Sequence, residues 1–403
     1  QVDGQIYLKV QPGLLKSVFK DNPKNIVISK LGNLSNTLFK YGATKVSKPF
    51  YQADDDAILP NILLVQFSQI KQVDQLIYDL QRLEGVDYAE KVNLNTVDLT
   101  PNDTYYTGGT MSYLNQINAP NAWGVSTGSS NITVAVVDNA IDRAHTDLSG
   151  NVWTNPGEIA GDGLDNDGNG YIDDVNGYDV ADDDNNTIPT NNAMSHGTHC
   201  SGTAAGRTNN STGVASISWN VKLIPVKCQT DGGSTTGIAN GYGGILYAAK
   251  VKARVISCSW GGPGTANASE QAVINYAWSK GCIIICATGN SNTNALHYPA
   301  AYNNVYSVVS ISSSDVKSSF SNYGTWADIC APGENIRSTI PANAYTYMNG
   351  TSMATPCVAG LAALMLSKAP YMTQTDVLNC ISTTAVNIYP VNSGTLAGQL
   401  GAG

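Results

Sequence analysis

Short runs of apolar residues, each about as long as one β-strand, recur between residues 132 and 311. They lie at 132–137, Lys222–Lys227, 254–259, 282–287 and Val305–Ile311. Helix-like stretches separate some of them, as at 238–250 and 269–280. Strands that are apolar at successive positions are usually covered on both faces, which is typical of a parallel sheet. The alternation therefore predicts an α/β fold, with a doubly wound parallel sheet flanked by helices.

The first 95 or so residues follow a different pattern. Residues 73–83 carry an apolar stripe with the 3.6-residue period of a helix. Runs of strand length lie on both sides of it, at Gln5–Val10, Ile62–Phe67 and 86–92. Residues 93–106 are polar, contain Pro101 and follow no period, which indicates a linker. We therefore expect a small α+β domain at 1–98 and a larger domain at 99–403.

The charge of the chain limits its partners. With a formal net charge of −9, the chain has no basic excess to replace the counterions of nucleic acid or to bind an anionic membrane. No run of about 18 apolar residues is present, so no membrane span is predicted. Because the sequence begins with Gln1 and not Met, we expect a secreted protein whose signal peptide has been removed.

The cysteines leave two alternatives open. Eight of them lie at positions 200, 228, 258, 282, 286, 330, 357 and 380. Most stand in apolar or small-residue runs, where Cys behaves as a small hydrophobic residue. We favour buried free thiols, with a disulfide framework as the alternative.

Several polar residues stand at the ends or starts of predicted strands and helices. Asp138 ends an apolar run, and the carboxyl ends of parallel strands form active sites. His196 and His199 lead into a helix of small residues. Ser352 begins a predicted helix with Pro356 in its first turn, so free N–H groups there can stabilise an oxyanion. Each residue also has an ordinary alternative, since Asp and Ser cap helices and a His pair can bind metal.

Four motifs carry these residues in one order along the chain. They are Asp138-x-x-Ile-Asp, His196-Gly-Thr-His, Ala287-Thr-Gly-Asn290 and Gly350-Thr-Ser352-Met-Ala-Thr-Pro. Over roughly residues 107–385 they resemble the subtilisin-like serine proteases, the subtilase family, and four ordered motifs make the resemblance specific. It implies a subtilisin-like sheet. The N-terminal module is similar to the family's propeptide, a small ferredoxin-like α+β domain that acts as folding chaperone and inhibitor.

The resemblance assigns a role to each reacting residue. Ser352 would attack the scissile carbonyl, His196 would carry its proton, and Asp138 would fix the imidazole tautomer. Asn290 would donate its side-chain amide to the oxyanion, beside the N–H of Ser352. This mechanism requires the serine to contact the imidazole and the imidazole to contact the carboxylate.

Two further segments are similar to the walls of the family's first specificity pocket. Their glycines would let a substrate backbone approach closely. The residues that this resemblance places at the substrate are Ser259, Trp260, Gly261, Ala287, Thr288 and Gly289. Trp260 alone does not determine which residue is preferred before the cleaved bond. Cys200 stands where the family often carries Val, and we interpret it as a packing variant.

An acidic segment between Glu158 and Asp184 contains no Lys or Arg. A bound cation is therefore expected to offset the repulsion among its carboxylates. Part of it matches the beginning of a calcium loop, with Gly170 at the sixth position. Asn176 replaces the usual twelfth-position Glu, so the ring is expected to close through Asp174. A solvated acidic loop is the alternative. The predicted Ca²⁺ ligands are Asp165, Asp167, Asn169, Tyr171 through its carbonyl, Asp173 and Asp174.

The resemblance also implies a second calcium site at Asp147 and Asn210, with a surface turn as the alternative.

The sequence thus predicts a secreted, calcium-stabilised and self-processing serine endopeptidase zymogen, a monomer that acts on proteins or peptides. The tail of its propeptide, around residues 93–106, would occupy the substrate cleft and be cut by Ser352. Activity should rise through about pH 6–7 as His196 loses its proton. Two alternatives use the same fold: a silent calcium-binding module, and a peptide ligase or cyclase in which an amine replaces water.

Overall fold

The computed structural model of the chain describes residues 2–14, 23–53, 55–93, 99–392 and 394–403. The contacts divide the chain into two units, Gln1–Thr96 and Val97–Gly403. The predicted boundary at residue 98 and part of the predicted linker lie outside the described residues. From residue 99 onward the linker residues pack within the second unit, since Asp103 is buried and accepts a hydrogen bond from the N–H of Asn209.

The small unit is one antiparallel sheet with two helices. Its elements, in chain order, are β1 (Gln5–Val10), α1 (Asn33–Lys40), β2 (Ala43–Ser47), β3 (Ile62–Phe67), α2 (Val73–Gln81) and β4 (Val86–Lys91), with 3-10 turns at Ile28–Lys30, Leu59–Asn61 and Ile70–Gln72. The strands lie in the order β2-β3-β1-β4. This β-α-β-β-α-β arrangement is ferredoxin-like. Alternate residues of β1 face its core, namely Ile6, Leu8 and Val10.

The large unit alternates strands with helices. Its strands are β5 (Thr133–Asp138), β6 (Tyr178–Asp179), β7 (Lys222–Lys227), β8 (Val255–Cys258), β9 (Gly262–Pro263), β10 (Ile283–Ala287), β11 (His297–Tyr298), β12 (Val305–Ile311), β13 (Ile329–Pro332), β14 (Ile336–Ile340) and β15 (Ala344–Met348). Its helices are α3 (Thr104–Thr107), α4 (Ser112–Gln116), α5 (Ala119–Val125), α6 (Thr146–Ser149), α7 (His196–Ala205), α8 (Gly241–Lys250), α9 (Ala268–Ser279), α10 (Thr351–Lys368) and α11 (Gln374–Thr384), with 3-10 turns at Tyr389–Val391 and Gly394–Leu396.

Seven strands of the large unit form one parallel sheet in the order β13-β12-β10-β8-β5-β7-β6. The chain winds outward from β5 in both directions, since β7 lies on one side of it and β8 on the other. In such sheets the crevice outside the carboxyl ends of the strands, at the point of reversal, binds ligands. We therefore expect a binding site at the carboxyl ends of β5, β8 and β10.

Both faces of this sheet are buried, and β5 shows why its sequence is apolar throughout. Val134 and Val136 pack into a core that includes residues of α7 and α10. Ala135 and Val137 pack into a second core on the other face, with residues of α8 and α9. Because successive side chains of a strand point to opposite faces, burial of both faces requires apolar residues at every position.

The predicted fold class is confirmed. Each predicted strand of the parallel sheet is present within one or two residues of its expected bounds, and α8 and α9 lie where helices were expected. The short strand β6 and the hairpin of β14 and β15 were not predicted, because they are short or partly exposed and lack a clear period. Among the described residues, no helix is both long and apolar enough to cross a membrane.

Candidate active site

The carboxyl ends of three adjacent strands carry residues of the predicted site. Asp138 is the last residue of β5, Ser259 directly follows β8, and Ala287 is the last residue of β10. The loops and helices that follow bring His196, Asn290 and Ser352 to the same edge, where they line one cavity of about 650 Å³. Residues that are more than two hundred positions apart in sequence therefore meet in one cleft.

Asp138 and His196 are in direct contact. The Nδ1 atom of His196 lies 2.8 Å from Oδ1 of Asp138, and the carboxylate is completely buried. The same oxygen accepts a hydrogen bond from the N–H of Asn139 at 2.8 Å. About a third of the imidazole surface remains exposed, at 32%. The pair can thus hold one ring nitrogen at the carboxylate while the ring remains accessible from the cleft.

The surroundings of His196 determine its charge. Burial alone would lower the pKa of this imidazole, but the Asp138 carboxylate and the contact with Cys200 raise the pKa well above its usual value of 6.5. The Sγ atom of Cys200, one helical turn later on α7, lies 3.9 Å from Nδ1. The expectation of a proton loss between about pH 6 and 7 therefore needs correction upward, because it was based on an unperturbed histidine.

The hydroxyl of Ser352 has a different partner from the one that the sequence predicts. It donates to the backbone carbonyl of Ser259 at 2.8 Å, and no hydrogen bond joins it to His196 among the described residues. A serine hydroxyl turns about a single Cα–Cβ bond, so its direction can change without a movement of the backbone. Contacts of this kind often form fully only when substrate is bound.

Pro356 lies in the second turn of α10 and not in the first turn as predicted, because the helix begins at Thr351. A proline there has no N–H for the carbonyl four residues before it, which is that of Ser352. This carbonyl instead accepts hydrogen bonds from Oγ of Ser259 at 2.9 Å and Sγ of Cys200 at 3.5 Å. Because of the proline, the carbonyl oxygen of Ser352 lacks its usual N–H partner within the helix. It bonds instead to Ser259, which follows β8, and to Cys200 on α7.

Two hydrogen-bond donors border a small space beside Ser352. A Cβ atom at Gly350, whose φ is 155°, would lie 3.4 Å from Nδ2 of Asn290 and 3.6 Å from the backbone N of Ser352. The Asn290 amide is held in place because its Oδ1 accepts bonds from N and Oγ1 of Thr351, at 2.9 and 3.0 Å. An N–H in the first turn has no partner within its helix. A glycine at position 350 leaves room for an oxyanion between these donors.

The predicted pocket walls line the cleft, with one exception. Ser259, Trp260, Gly261, Ala287 and Gly289 all face the cavity. The exception is Thr288, which is completely buried and donates through its hydroxyl to the carbonyl of Val308. Its side chain therefore supports the wall from behind.

Several residues of the cleft were not predicted, since they stand outside the four motifs. His297 lies between the two walls, because a Cβ atom at Gly261 would lie 2.8 Å from its Nε2 and one at Gly289 would lie 2.9 Å from its Nδ1. Burial lowers the pKa of His297. Glu270 and Tyr242 line the far part of the same cavity.

His199, the second histidine of the His196 motif, lies inside the protein and away from the cleft. His199 is buried, and its Nε2 lies 3.0 Å from the carbonyl oxygen of Ile336. Burial lowers its pKa to about 3, so the ring is neutral near neutral pH. The weak metal alternative for the histidine pair gains no support from this geometry, because a backbone carbonyl already occupies the Nε2 atom.

The acidic loop brings three carboxylates together. Oxygen atoms of Glu158, Asp165 and Asp167 lie within 4.8 Å of one another. One oxygen of Glu158 accepts the N–H groups of Asn166 and Asp167, whereas its Oε2 is buried without a hydrogen-bond partner. A buried unpaired carboxylate oxygen beside two further carboxylates suits Ca²⁺, which takes oxygen ligands. Glu158 was missed because it stands seven residues before the recognisable loop.

The remaining predicted ligands of this loop have other partners. Asp173 accepts the N–H groups of Gly161 and Gly163, and Asp174 accepts the side-chain amides of Asn155 and Asn169. Burial raises the pKa of Asp174 to about 6. The side-chain oxygen of Asn169 and the N–H of Tyr171 bond to each other, so the loop is partly closed by its own residues. Glu158 thus lies beside Asp165 and Asp167, whereas Asp174 is not part of this group of three carboxylates.

Neither of two other acidic groups presents free oxygens in the same way. Both carboxylate oxygens of Asp147 accept hydrogen bonds, Oδ1 from the amide of Asn210 and Oδ2 from the N–H of Val214. Asp147 and Asn210 are thus in direct contact, and the second calcium site stays a prediction. In the cluster of Asp179, Asp182 and Asp231, the buried Nζ of Lys227 lies 2.7 Å from Asp179 and supplies the cation.

All eight cysteines are free, as favoured from their apolar surroundings. Cys258 and Cys286 are register partners on adjacent strands, yet both remain buried thiols.

The chain is similar in sequence to known proteases. Residues 129–403 match the description "Subtilase family". The chain is 39% identical over 300 residues to the "Thermophilic serine proteinase" of Bacillus sp. (strain AK1), which covers 74% of this chain and 68% of that protein. It is 34% identical over 360 residues to the "Extracellular protease" of Xanthomonas campestris pv. campestris, covering 82% of this chain and 60% of that protein.

A solved protease structure from Pseudoalteromonas arctica PAMC 21717 has a similar fold. The TM-score is 0.63 at 28% sequence identity, and the match covers 76% of this chain and 96% of that chain.

Proposed function

This chain belongs to the subtilase family and is a serine endopeptidase, and on that premise we propose that Asp138, His196 and Ser352 form its catalytic triad. The observation that carries the proposal is the 2.8 Å contact between the His196 imidazole and a buried carboxylate, in the cleft that Ser352 also lines. Its substrates are proteins and peptides.

The tautomer of His196 follows from that contact. With Nδ1–H donating to Asp138, Nε2 is left as the acceptor for a proton. The Ser352 hydroxyl would leave the carbonyl of Ser259, turn to Nε2 and attack the scissile carbonyl carbon. His196 would then return the proton to the leaving amine. Water would repeat the sequence on the acyl-enzyme, releasing the second product and restoring the serine.

The test of this assignment combines labelling with product mass. A fluorophosphonate probe should modify Ser352 at a rate that falls when His196 is replaced by Ala. Peptide products should together gain one water, whereas a ligase would join two peptides with no net addition of water. Intact peptide after long incubation, with no labelled serine, would support the silent binding module instead.

Replacement of Asn290 by Ala should lower kcat by about 10²–10³ with little change in KM, because the amide is used only when the oxyanion forms. We take this magnitude from a subtilisin. Thr351→Val is the comparison variant, since it keeps the Asn290 amide and removes the hydroxyl that donates to Oδ1 of Asn290 and accepts from the N–H of Gly289. A fall in kcat no greater for the Asn290 variant than for the Thr351 variant would contradict the role of Asn290.

We further propose that the loop around Glu158, Asp165 and Asp167 binds Ca²⁺. The support is the buried unpartnered oxygen of Glu158 and the absence of Lys or Arg between Glu158 and Asp184. A cation would remove the repulsion among these carboxylates, and its contribution is to stability, with no part in the reaction.

Removal of calcium from the mature enzyme should lower its melting temperature by roughly 4 °C, because a ligand at 100 times its Kd contributes about 2.7 kcal/mol to the folded state of a unit of this size. The enzyme is first inactivated with fluorophosphonate to prevent autolysis, and melting is followed with calcium or with chelator. Glu158→Gln should abolish the calcium dependence. Asp162→Asn should retain it, because Asp162 is exposed and outside the cluster. A melting temperature that is indifferent to the chelator would contradict the site.

The small unit is proposed to be a propeptide that assists folding, inhibits the large unit and is removed by it. The support is its ferredoxin-like order, its position before the protease unit and its resemblance to the family's propeptide. Secretion and a monomeric state are also proposed, and the name of the extracellular Xanthomonas relative supports secretion.

A further inference from the structure

The substrate cavity extends beyond the catalytic residues to a part that we call the aromatic end, defined by Tyr242, Trp260, Glu270 and Tyr298. The rings of Tyr242 and Trp260 stand edge to face, with centroids 5.6 Å apart and an interplanar angle of 86°. Aromatic faces that meet at a right angle form a corner, and such a corner can hold a cation against π-electrons.

A carboxylate stands in this aromatic end. Oε2 of Glu270 accepts a hydrogen bond from the hydroxyl of Tyr302 at 2.6 Å, and the hydroxyl of Tyr242 also bonds to Glu270. None of the ion pairs found among the described residues includes Glu270. The carboxylate is therefore oriented by phenols and has no protein cation beside it.

The cavity is lined by acidic side chains without a Lys or Arg among the described residues. These acidic residues are Asp138 and Glu270. Asp138 is in contact with His196 at the catalytic end, so Glu270 is the acidic group at the aromatic end that a bound ligand can neutralise.

The aromatic end is also held in position. The indole N–H of Trp260 donates to the carbonyl of Val137 at 2.8 Å, at the end of β5. Tyr302 is buried and packs against Tyr298 with the rings tilted by 49° and their centroids 4.5 Å apart. Groups that are oriented before binding lose little freedom when a ligand arrives.

We propose that Glu270, with the faces of Tyr242 and Trp260, binds a cationic side chain of the peptide substrate, Lys or Arg, near the scissile bond. This inference rests on the proposed function and adds a substrate class to it. If Glu270 had only a structural role, through the start of α9 and its hydrogen bond with Tyr302, its charge would not change the preference between substrates.

The test compares peptides that differ by one charge. Fluorogenic peptides carry either Lys or norleucine, its uncharged analogue, at one of the four positions before the cleaved bond. The mature enzyme should prefer Lys by about tenfold or more in kcat/KM at one position, because a charge-assisted contact of this kind is worth at least a factor of ten. This preference should fall as salt is raised, since the cleft is open to solvent.

Glu270→Gln isolates the charge, because the amide keeps an oxygen for the Tyr302 hydroxyl. This variant should lose the Lys preference by about tenfold, measured as the ratio of kcat/KM for the Lys peptide to kcat/KM for the norleucine peptide. Glu334→Gln is the matched control, since Glu334 does not line the cavity and its loss should leave the preference unchanged.

The possible outcomes distinguish failure of the cation site from failure of the protease assignment. Equal Lys preference in wild type and Glu270→Gln, or no Lys preference at any position, overturns the cation site while leaving the protease intact. Absence of cleavage of every peptide, together with absence of fluorophosphonate labelling, would instead overturn the proposed function. If Glu270→Gln failed to fold, a salt-independent Lys preference in the wild type would still contradict the inference.

Discussion

Ser352→Ala is expected to lower kcat by about 10⁶-fold and to leave the full-length chain uncut. Alanine removes the hydroxyl that is proposed to attack the scissile carbonyl, whereas the amide of Asn290 and the backbone N–H at position 352 remain. Loss of the serine in a subtilisin has an effect of this size, and we take the magnitude from there. A residual acceleration over water should persist, because binding and the oxyanion donors do not depend on the hydroxyl.

The measurement has two readouts. Peptide cleavage is followed with a fluorogenic substrate, and the purified chain is incubated with calcium before the masses of its fragments are determined. Wild type should separate into two fragments near the junction of the two units, and Ser352→Ala should remain whole. Ser313→Ala is the control, since Ser313 is exposed and far from the cleft in sequence.

A second experiment tests whether the Ser352→Ala chain has lost only its catalytic activity and still presents a bond that can be cut. Addition of a small amount of mature wild-type enzyme to the uncut Ser352→Ala chain should restore cleavage at the same bond. Maturation of the purified variant alone would show that this serine does not perform the processing.

Asp138→Asn is expected to lower kcat by about 10⁴-fold, the size of effect known for the corresponding change in another serine protease. The amide N–H of asparagine would face Nδ1 of His196 and favour the tautomer with a proton on Nε2. That nitrogen could then no longer accept the proton of Ser352. The fold should persist, because asparagine has nearly the same shape. The amide group that faces His196 can no longer accept the N–H of Asn139, which bonds to the same oxygen in the wild type.

The same substitution should move the pH profile. Protonated His196 cannot act as a base, so activity is lost as pH falls through its pKa. Because Asp138 raises this pKa, the acidic limb of kcat/KM in wild type should lie above pH 6.5. In Asp138→Asn the raising carboxylate is gone while burial still lowers the pKa, so the limb should move to lower pH.

The profile is measured from about pH 5 to 10 with Asp315→Asn as a control, because Asp315 is distant in sequence from the triad and bonds to Gln116. A wild-type profile that is flat across this range would count against His196 as the base. An unchanged limb in Asp138→Asn would show that the carboxylate does not control the imidazole.

The fold could largely be read from local patterns. The apolar runs of β5, β7, β8, β10 and β12 are short and contiguous, so the sequence indicated a parallel sheet buried on both faces. Strand ends in such a sheet meet at one edge, so the position of Asp138 at the end of β5 predicted that it lies at the candidate site. The four motifs then identified His196, Asn290 and Ser352, because each motif is a few residues long and can be recognised without contacts.

What a pattern could not supply were the partners that each side chain meets across the fold. Glu158 approaches the acidic loop from outside the motif, and Thr288 turns away from the cleft although its two neighbours in sequence face it. The same holds for Asp147, whose oxygens are already satisfied by Asn210 and Val214.

By itself, the sequence determined the parallel sheet, the separate α+β module and the candidates for the reacting residues, because hydrophobic period and motif spacing are local properties of a chain. Only the tertiary structure decided that the Ser352 hydroxyl rests on Ser259, that His196 has a raised pKa and that Glu270 stands in an aromatic corner. The reason is that hydrogen bonding, desolvation and charge depend on distances of a few ångströms between residues that are far apart in sequence.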